Sequence, residues 1–305
     1  MRVIVIGAGG VGGYFGARLL QGGCDVKFVA RGEHLAALRK HGLRVESKLG
    51  NIEFGEVCVS EDPSAMGPAD LVLMCVKLWD TESAAQSIKP VIGADTAVIS
   101  LQNGVQKEET LRGLLGDQHV LGGVCYINSK IVAPGVISQT GTQQRLLFGE
   151  ADGSTTPRSE KFLAACQRSG IAAEISPDIR RAIWEKFVFI VGVSAVTTTM
   201  RQTIGPICGN AQTRAFLLDV LREVVSVGRA HGVNLDEAFA EDRLAFCDHL
   251  PAEVTSSMHT DFEQGRRLEL SWLSGSVVKL GGMVGVQTPL NRAVNDILAL
   301  HEEGK

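Results

Sequence analysis

Aromatic residues are scarce in this 305-residue chain, at 5%, and there is no excess of positive charge, the formal net charge being −4. A chain without an aromatic stacking platform or a basic field does not hold nucleic acid, so an anionic ligand must be held by a local site. The seven cysteines, at positions 24, 58, 75, 125, 166, 208 and 247, form no CxxC pair and no Cys/His cluster at zinc spacing. That pattern excludes a disulfide framework and a structural metal site, and fits reduced core thiols in a cytosolic protein. No long hydrophobic run is present. The most extended, 187–200, is broken by Gly192 and by serine and threonine, and is too short to cross a bilayer, so no membrane partner is expected. Met1 and Arg2 lead into a glycine-rich turn rather than the apolar core of a secretory signal, and a cytoplasmic location is the expectation.

What the chain does have is glycine, 35 residues of it, with 45% apolar and 21% charged residues. These are values of an ordinary folded protein, and the length favours two domains. In the first half, short β-branched runs at 3–6, 26–29, 71–76, 97–101 and 120–126 alternate with helical patterns near 11–23, 33–42, 80–90 and 105–115. Continuous apolar strands separated by helices predict parallel βαβ units with right-handed crossovers, covered on both faces. A strand at 145–148 and one further helix–strand unit complete a first domain, 1–176. Pro177 opens a second domain, 177–305, whose 3.6-residue periodicity predicts helix almost throughout, as in Leu217, Val220, Leu221 and Val224 or Leu290, Val294 and Ile297. The apolar face around 210–232 reads either as core or as the contact of a homodimer.

Gly7, Ala8, Gly9, Gly10, Val11 and Gly12 fit GxGxxG, directly after the first apolar strand and directly before a helical pattern through Phe15, Leu19 and Leu20. The first glycine permits the sharp turn, the second lets backbone approach a pyrophosphate, and the third packs helix on strand, while the helix start offers free N–H groups to the anion. This context predicts a Rossmann-type doubly wound parallel sheet that binds a dinucleotide, followed by an all-helical C-terminal domain: an α/β protein. The end of the second strand carries Arg31, the residue type that pairs with the extra phosphate of NADP, and Glu33 more naturally opens the next helix, so NADP(H) is favoured over NAD(H).

Further features follow in order: Leu35, Leu38, Gly42 and Leu43 after Arg31; Val76-Lys77 and Leu101-Gln102-Asn103-Gly104 at two strand ends; Trp184-Glu185-Lys186-Phe187 opening a helix; and Ser256-Ser257-Met258 followed by Glu269. Together with the glycine loop, the pattern resembles the 2-dehydropantoate 2-reductase (ketopantoate reductase) family over essentially the whole chain. The resemblance implies NADPH-dependent reduction of 2-dehydropantoate to (R)-pantoate on the route to pantothenate and coenzyme A, with a small 2-oxo acid held in a cleft between a Rossmann domain and a helical domain. By the same resemblance, Lys186 is the catalytic lysine and Glu269 the acidic residue near it. Lys77 and Asn103 contact the cofactor, Asn103 also reaches the substrate, and Ser257 matches a substrate-carboxylate serine.

Each of these positions also has a plainer reading. Lys186 among Ile183, Trp184 and Val188 can be a surface lysine whose stem covers apolar neighbours. Glu269 can pair with Arg266 on a helix surface. Asn103 can be a turn-former before Gly104, Lys77 a solvated strand-end charge, Ile127 plain core rather than a nicotinamide contact, and Ser257 part of a helix cap. One departure bears on the substrate. Family members usually carry asparagine four and eight residues after the lysine, where this chain has Ile190 and Ser194. Isoleucine forms no hydrogen bond, so either other contacts replace that pairing for ketopantoate, or the substrate is a less polar 2-oxo acid. A non-catalytic NADP(H)-binding sensor, and a dehydrogenase working toward oxidation of a 2-hydroxy acid, are the remaining readings.

Overall fold

The computed structural model describes residues 1–305, and the chain divides into two compact units, Met1–Ala182 and Ile183–Lys305. The division falls in the first turn of a 22-residue helix, a few residues beyond the 176/177 position read from the sequence.

In chain order the first unit contains β1 (Arg2–Ile6), α1 (Gly10–Gln21), β2 (Asp25–Val29), α2 (Gly32–His41), β3 (Leu43–Ser47), β4 (Ile52–Phe54), β5 (Cys58–Ser60) and β6 (Leu71–Met74). It continues with α3 (Thr81–Ser87), β7 (Ala97–Ser100), α4 (Lys107–Leu115), β8 (Val120–Ala133), β9 (Val136–Gly149), α5 (Pro157–Arg168) and β10 (Ala172–Ile175). The ten strands form one sheet in the order β4-β3-β9-β8-β7-β6-β1-β2-β5, with β10 on β9. The segment β5-β2-β1-β6-β7-β8 is parallel throughout. It is the dinucleotide-binding order, with its switch point between β1 and β6.

The apolar runs are continuous because both faces are covered. Val3, Val5, Leu71, Leu73 and Ile99 pack with Phe15 and Leu19 of α1 and Phe162 of α5. The alternate residues Ile4, Ile6, Val72, Met74 and Val98 pack with Ala84 and Ala85 of α3 and Leu111 of α4. Each fully buried Val, Leu, Ile, Met or Phe side chain among these contributes about 1.5–3 kcal/mol of transfer free energy.

Beyond this parallel core, which the sequence predicts, the sheet is mixed. β8 and β9 form a long antiparallel hairpin that runs past Tyr126 to the turn before Val136, and β3 and β4 form a second, short one. β9 then pairs in parallel with both β3 and β10, extending the sheet beyond the six-stranded core.

The second unit is helical: α6 (Ile179–Met200, beginning in the first unit), α7 (Ile204–Gly209), α8 (Ala211–Ala230), α9 (Phe239–Asp248), α10 (Ser257–Glu263), α11 (Ser274–Val284) and α12 (Pro289–Leu298). The apolar face of α8 is core, with Leu217, Val220, Leu221 and Val224 fully buried, and Gly192 of α6 lets that helix approach Leu221 closely. The apolar periodicity of α12 is only partly buried, since Val294 is covered and Ile297 is 63% exposed.

The helix α6 that contains the 187–200 run extends to 22 residues and has the length and composition to cross a membrane. Two-thirds of its most apolar stretch is buried within the protein, as for the central helix of a globular domain.

Candidate active site

The loop after β1 tests each glycine by what a side chain would meet there. Gly7 has φ +94°, and a Cβ on it would lie 2.9 Å from the Val76 nitrogen, so the turn is pressed against the chain leaving β6 at the switch point. A Cβ on Gly12 would collide with the Gly7 carbonyl oxygen and with Val5, the close packing of helix on strand. Around Gly9 there is nothing within 4 Å, and as the N-cap of α1 it leaves the first helical N–H groups without a side-chain cap or an acidic neighbour in the first turn. An open, uncapped helix start is what an anionic pyrophosphate needs. Gly10 is glycine for a different reason: a Cβ there would strike the Ser129 carbonyl oxygen of the β8–β9 hairpin. Val11 lies beside it, half-buried on α1.

A pocket of about 190 Å³ opens at this loop, lined by Gly7, Ala8, Gly9, Val29, Ala30, Arg31, His34, Val76 and Ile131. Arg31 caps the start of α2 in extended conformation. Its exposed guanidinium is 2.7 Å from Asp80 Oδ2, in the short turn after Lys77. Lys77 is exposed, with its ammonium 5.6 Å from the centre of the Trp79 ring.

Asn103 is half-buried in the turn following β7, where Gly104 takes φ +85°. This turn is tied down on both sides. Gln102, buried, donates from Nε2 to the Val76 carbonyl oxygen at 2.9 Å and to Thr81 Oγ1 at 2.8 Å, and accepts from Ser100 Oγ. Lys107, with a side chain only 1% exposed, donates to the carbonyls of Ser100 and Gly123 and pairs with Glu108. The carboxyl ends of β6 and β7 are thereby linked to each other and to β8 at Gly123, at the edge where an open α/β sheet receives its ligand. Ile127 is half-buried on β8 and packs against the main apolar cluster.

The second unit holds the other candidates. Lys186 and Ile190 are half-buried one turn apart on α6, and Ser194 is buried a turn further on. On the same stretch Thr197 hydrogen-bonds Ser256 Oγ at 2.9 Å. Ser256, not Ser257, caps α10, accepting from the His259 N–H; Ser257 is the first helical residue and is exposed. Glu269 is buried and stands before a short 3₁₀ turn at 270–272 rather than on a helix surface. Arg266, the partner offered by the plainer reading of Glu269, instead pairs with Asp261 at 2.6 Å. The seven cysteines are free thiols, and burial pushes Cys166 and Cys247 up to about 12.

Residues 3–153 match the family described as Ketopantoate reductase PanE/ApbA, and residues 178–302 match Ketopantoate reductase PanE/ApbA C terminal. The chain belongs to the ketopantoate reductase family. It is 34% identical to the 2-dehydropantoate 2-reductase of Archaeoglobus fulgidus, over 99% of this chain and 98% of that one. The crystal structure of a PanE/ApbA family ketopantoate reductase from Ralstonia eutropha JMP134 superposes with a TM-score of 0.91 at 33% identity, covering 99% and 98% of the two chains. The ternary structure of D-mandelate dehydrogenase with NADH and anilino(oxo)acetate shares the fold, with a TM-score of 0.91 at 20% identity and coverage of 99% and 98%. These relatives are oxidoreductases.

In this ketopantoate reductase family member, three residues that tie down the segments around the site escaped the sequence reading: Gln102 after β7, Lys107 at the start of α4 and His34 on α2. Gln102 stands beside Asn103 in the motif, but a glutamine in a turn gives no signal of burial. The Lys107-Glu108 pair reads as ordinary charge at a helix start. His34 sits within the pattern Arg31–Leu35 without marking itself.

Proposed function

We propose that this chain catalyses NADPH-dependent reduction of 2-dehydropantoate to (R)-pantoate, on the route to pantothenate and coenzyme A. The observation that carries the reading is the open, uncapped helix start at Gly9 with Arg31 lining the same pocket. The dinucleotide, when bound, supplies hydride to the ketone carbon. The backbone N–H groups of Gly9, Gly10 and Val11 would take its pyrophosphate, and Arg31 the 2′-phosphate. Lys77, Asn103 and Ile127 are assigned to the rest of the cofactor.

On the substrate side, reduction places negative charge on the carbonyl oxygen. Lys186 donates a hydrogen bond and then a proton to that oxygen, and is reprotonated from solvent. Glu269 holds the ammonium in place, and Asn103, Ser194 and Ser257 contact the polar groups of the 2-oxo acid. Ile190 supplies an apolar wall, and this supports a second substrate reading, a 2-oxo acid lacking the hydroxyl of ketopantoate. A second cofactor reading rests on Asp80: its carboxylate occupies Arg31, and an acid at that place suits the ribose hydroxyls of NADH, the cofactor of the mandelate dehydrogenase structure.

The test is to add ketopantoate, and separately 2-oxoisovalerate, to the protein with NADPH or NADH and to follow nicotinamide absorbance. Selective oxidation of NADPH by ketopantoate at kcat/KM on the order of 10⁴ M⁻¹s⁻¹ supports the first reading. Lys186→Ala then removes turnover by orders of magnitude while cofactor still binds. Turnover of 2-oxoisovalerate alone transfers the assignment to the less polar acid, and cofactor binding without turnover of either leaves a sensor.

A further inference from the structure

His34 stands on α2 with both ring nitrogens committed to backbone. The Gly135 N–H donates to Nδ1 at 3.1 Å, and Nε2 lies 2.8 Å from the Ala8 carbonyl oxygen. A backbone N–H only donates and a carbonyl only accepts, so Nδ1 carries no proton and Nε2 carries one. The neutral Nε2–H tautomer is the single form that makes both bonds. Burial also favours the neutral ring, holding its pKa below the ordinary histidine value against the opposing pull of the Ala8 carbonyl.

The two groups so joined belong to different parts of the first unit. Ala8 is in the glycine loop, whereas Gly135, buried and at φ +78°, forms the turn of the β8–β9 hairpin, with its carbonyl accepting from the Arg44 N–H of β3. A second contact lies along the same seam, because Gly10 packs against the backbone of Ser129 and Lys130. Between these two points the hairpin presents Ile131, 43% exposed, to the pocket shared by Ala8, Ala30 and Arg31.

We propose that His34 is a positioning residue for the adenosine end of the dinucleotide: by clasping the glycine loop to the hairpin turn it sets Ile131 as the apolar wall of that pocket. The inference rests on the cofactor reading above. It gives the extended hairpin a role that the parallel sheet does not require, and commits Ile131 to the adenine or ribose face next to Arg31. An imidazole is suited to this because it is a rigid ring that accepts at one nitrogen and donates at the other across two chain segments.

The experiment titrates the full chain with NADPH, NADH, adenosine 2′,5′-bisphosphate and reduced nicotinamide mononucleotide. His34→Ala is expected to weaken NADPH and the bisphosphate by about tenfold or more, the equivalent of losing a buried hydrogen bond, and to leave the mononucleotide unaffected. His34→Gln, which keeps a donor and an acceptor, recovers most of that loss. Ile131→Ser, at a side chain 43% exposed, weakens the same two ligands by several-fold.

Long-range ¹H–¹⁵N spectra of the unaltered protein show the Nε2–H tautomer, and exchange of the Gly135 amide quickens in His34→Ala and slows again in His34→Gln. Equal affinity of all variants for NADPH and the bisphosphate overturns the proposal alone. Failure of the unaltered chain to bind either NADPH or NADH removes the cofactor reading and the proposal with it. Loss for the mononucleotide equal to that for the bisphosphate overturns the assignment to the adenosine end.

Discussion

The Nε2 of Gln102 donates to the carbonyl oxygen of Val76 at 2.9 Å, joining the residue before Asn103 to the residue before Lys77. Two loops that leave adjacent parallel strands are thus held by one buried side chain, which also reaches Thr81 and Ser100. Gln102→Leu leaves the Val76 carbonyl and two hydroxyls without this partner, and should cost about 1–3 kcal/mol of stability. Denaturant unfolding checks that figure. Cofactor titration should show weaker binding in the same variant, because Lys77 and Asn103 lose their common anchor; unchanged affinity would show that the two loops hold their positions independently.

Arg31 is already paired, with Asp80 at 2.7 Å, so a 2′-phosphate has to compete with a carboxylate for the same guanidinium. Arg31→Ala is expected to raise the KM for NADPH by about tenfold or more and to leave that for NADH nearly unchanged. Asp80→Asn should do the reverse for NADPH, lowering its KM. If Asp80→Asn instead weakens NADH selectively, the carboxylate reads a ribose and the cofactor assignment moves to NAD(H).

The central strands were readable in the sequence because they are buried on both faces, which turns each into an uninterrupted apolar word such as Leu71-Val72-Leu73-Met74. The hairpin beyond Tyr126 was not, for the opposite reason. Its residues Asn128, Lys130, Ile131 and Val132 are exposed and its apolar pattern is broken, so nothing in that stretch repeats at a strand period. The three-residue strands Ile52–Phe54 and Cys58–Ser60 are too short to show one. In the glycine loop the motif named the residues, but not their separate reasons. Gly10 is demanded by a hairpin more than a hundred residues away in sequence, a tertiary constraint that no local spacing encodes. Lys186, Ile190 and Ser194 were legible as one helix face because the helical period places them there.

Under the proposed reduction, Ile190 is the residue expected to set substrate choice. With a half-buried apolar side chain one turn from Lys186, it offers nothing to a substrate hydroxyl. Ile190→Asn should raise kcat/KM for ketopantoate relative to 2-oxoisovalerate by about tenfold, since a buried hydroxyl without a partner costs about 1–3 kcal/mol. Parallel kinetics on the two acids measure it. A ratio that does not move would mean that Ile190 lies away from that end of the substrate.

Asp70 gives the first unit a defined acid sensitivity. Partial burial raises its carboxyl, but the Arg2 backbone N–H, the Arg2 guanidinium and the Lys161 ammonium outweigh this and hold it at about 2, below the usual 3.8. A carboxylate whose folded pKa is depressed contributes stability that is present above its unfolded value and is lost as pH falls through the folded one. The contribution should therefore fade between about pH 4 and pH 2. Because both cations are exposed, its size is about 1 kcal/mol after allowance for solvent screening. Asp70→Asn should lower stability at neutral pH by that amount and flatten the pH dependence in this window, as read from urea midpoints.

Gly9 and Gly10 are adjacent and should fail in opposite ways. Gly9 has open space where a side chain would go, and its φ of −72° is accessible to alanine. Gly9→Ala should therefore change stability by less than about 1 kcal/mol, the loss of a favourable N-cap being offset by reduced freedom of the unfolded chain. The new methyl group occupies the approach of the pyrophosphate, so NADPH affinity should fall by about tenfold or more. Gly10→Ala instead drives a methyl group against the Ser129 carbonyl, and overpacking against backbone costs about 1–3 kcal/mol, a drop of several degrees in Tm. Thermal melts and cofactor titrations on the two variants separate these effects. If Gly9→Ala loses stability and keeps its affinity, the open face of the loop is not where the dinucleotide lies.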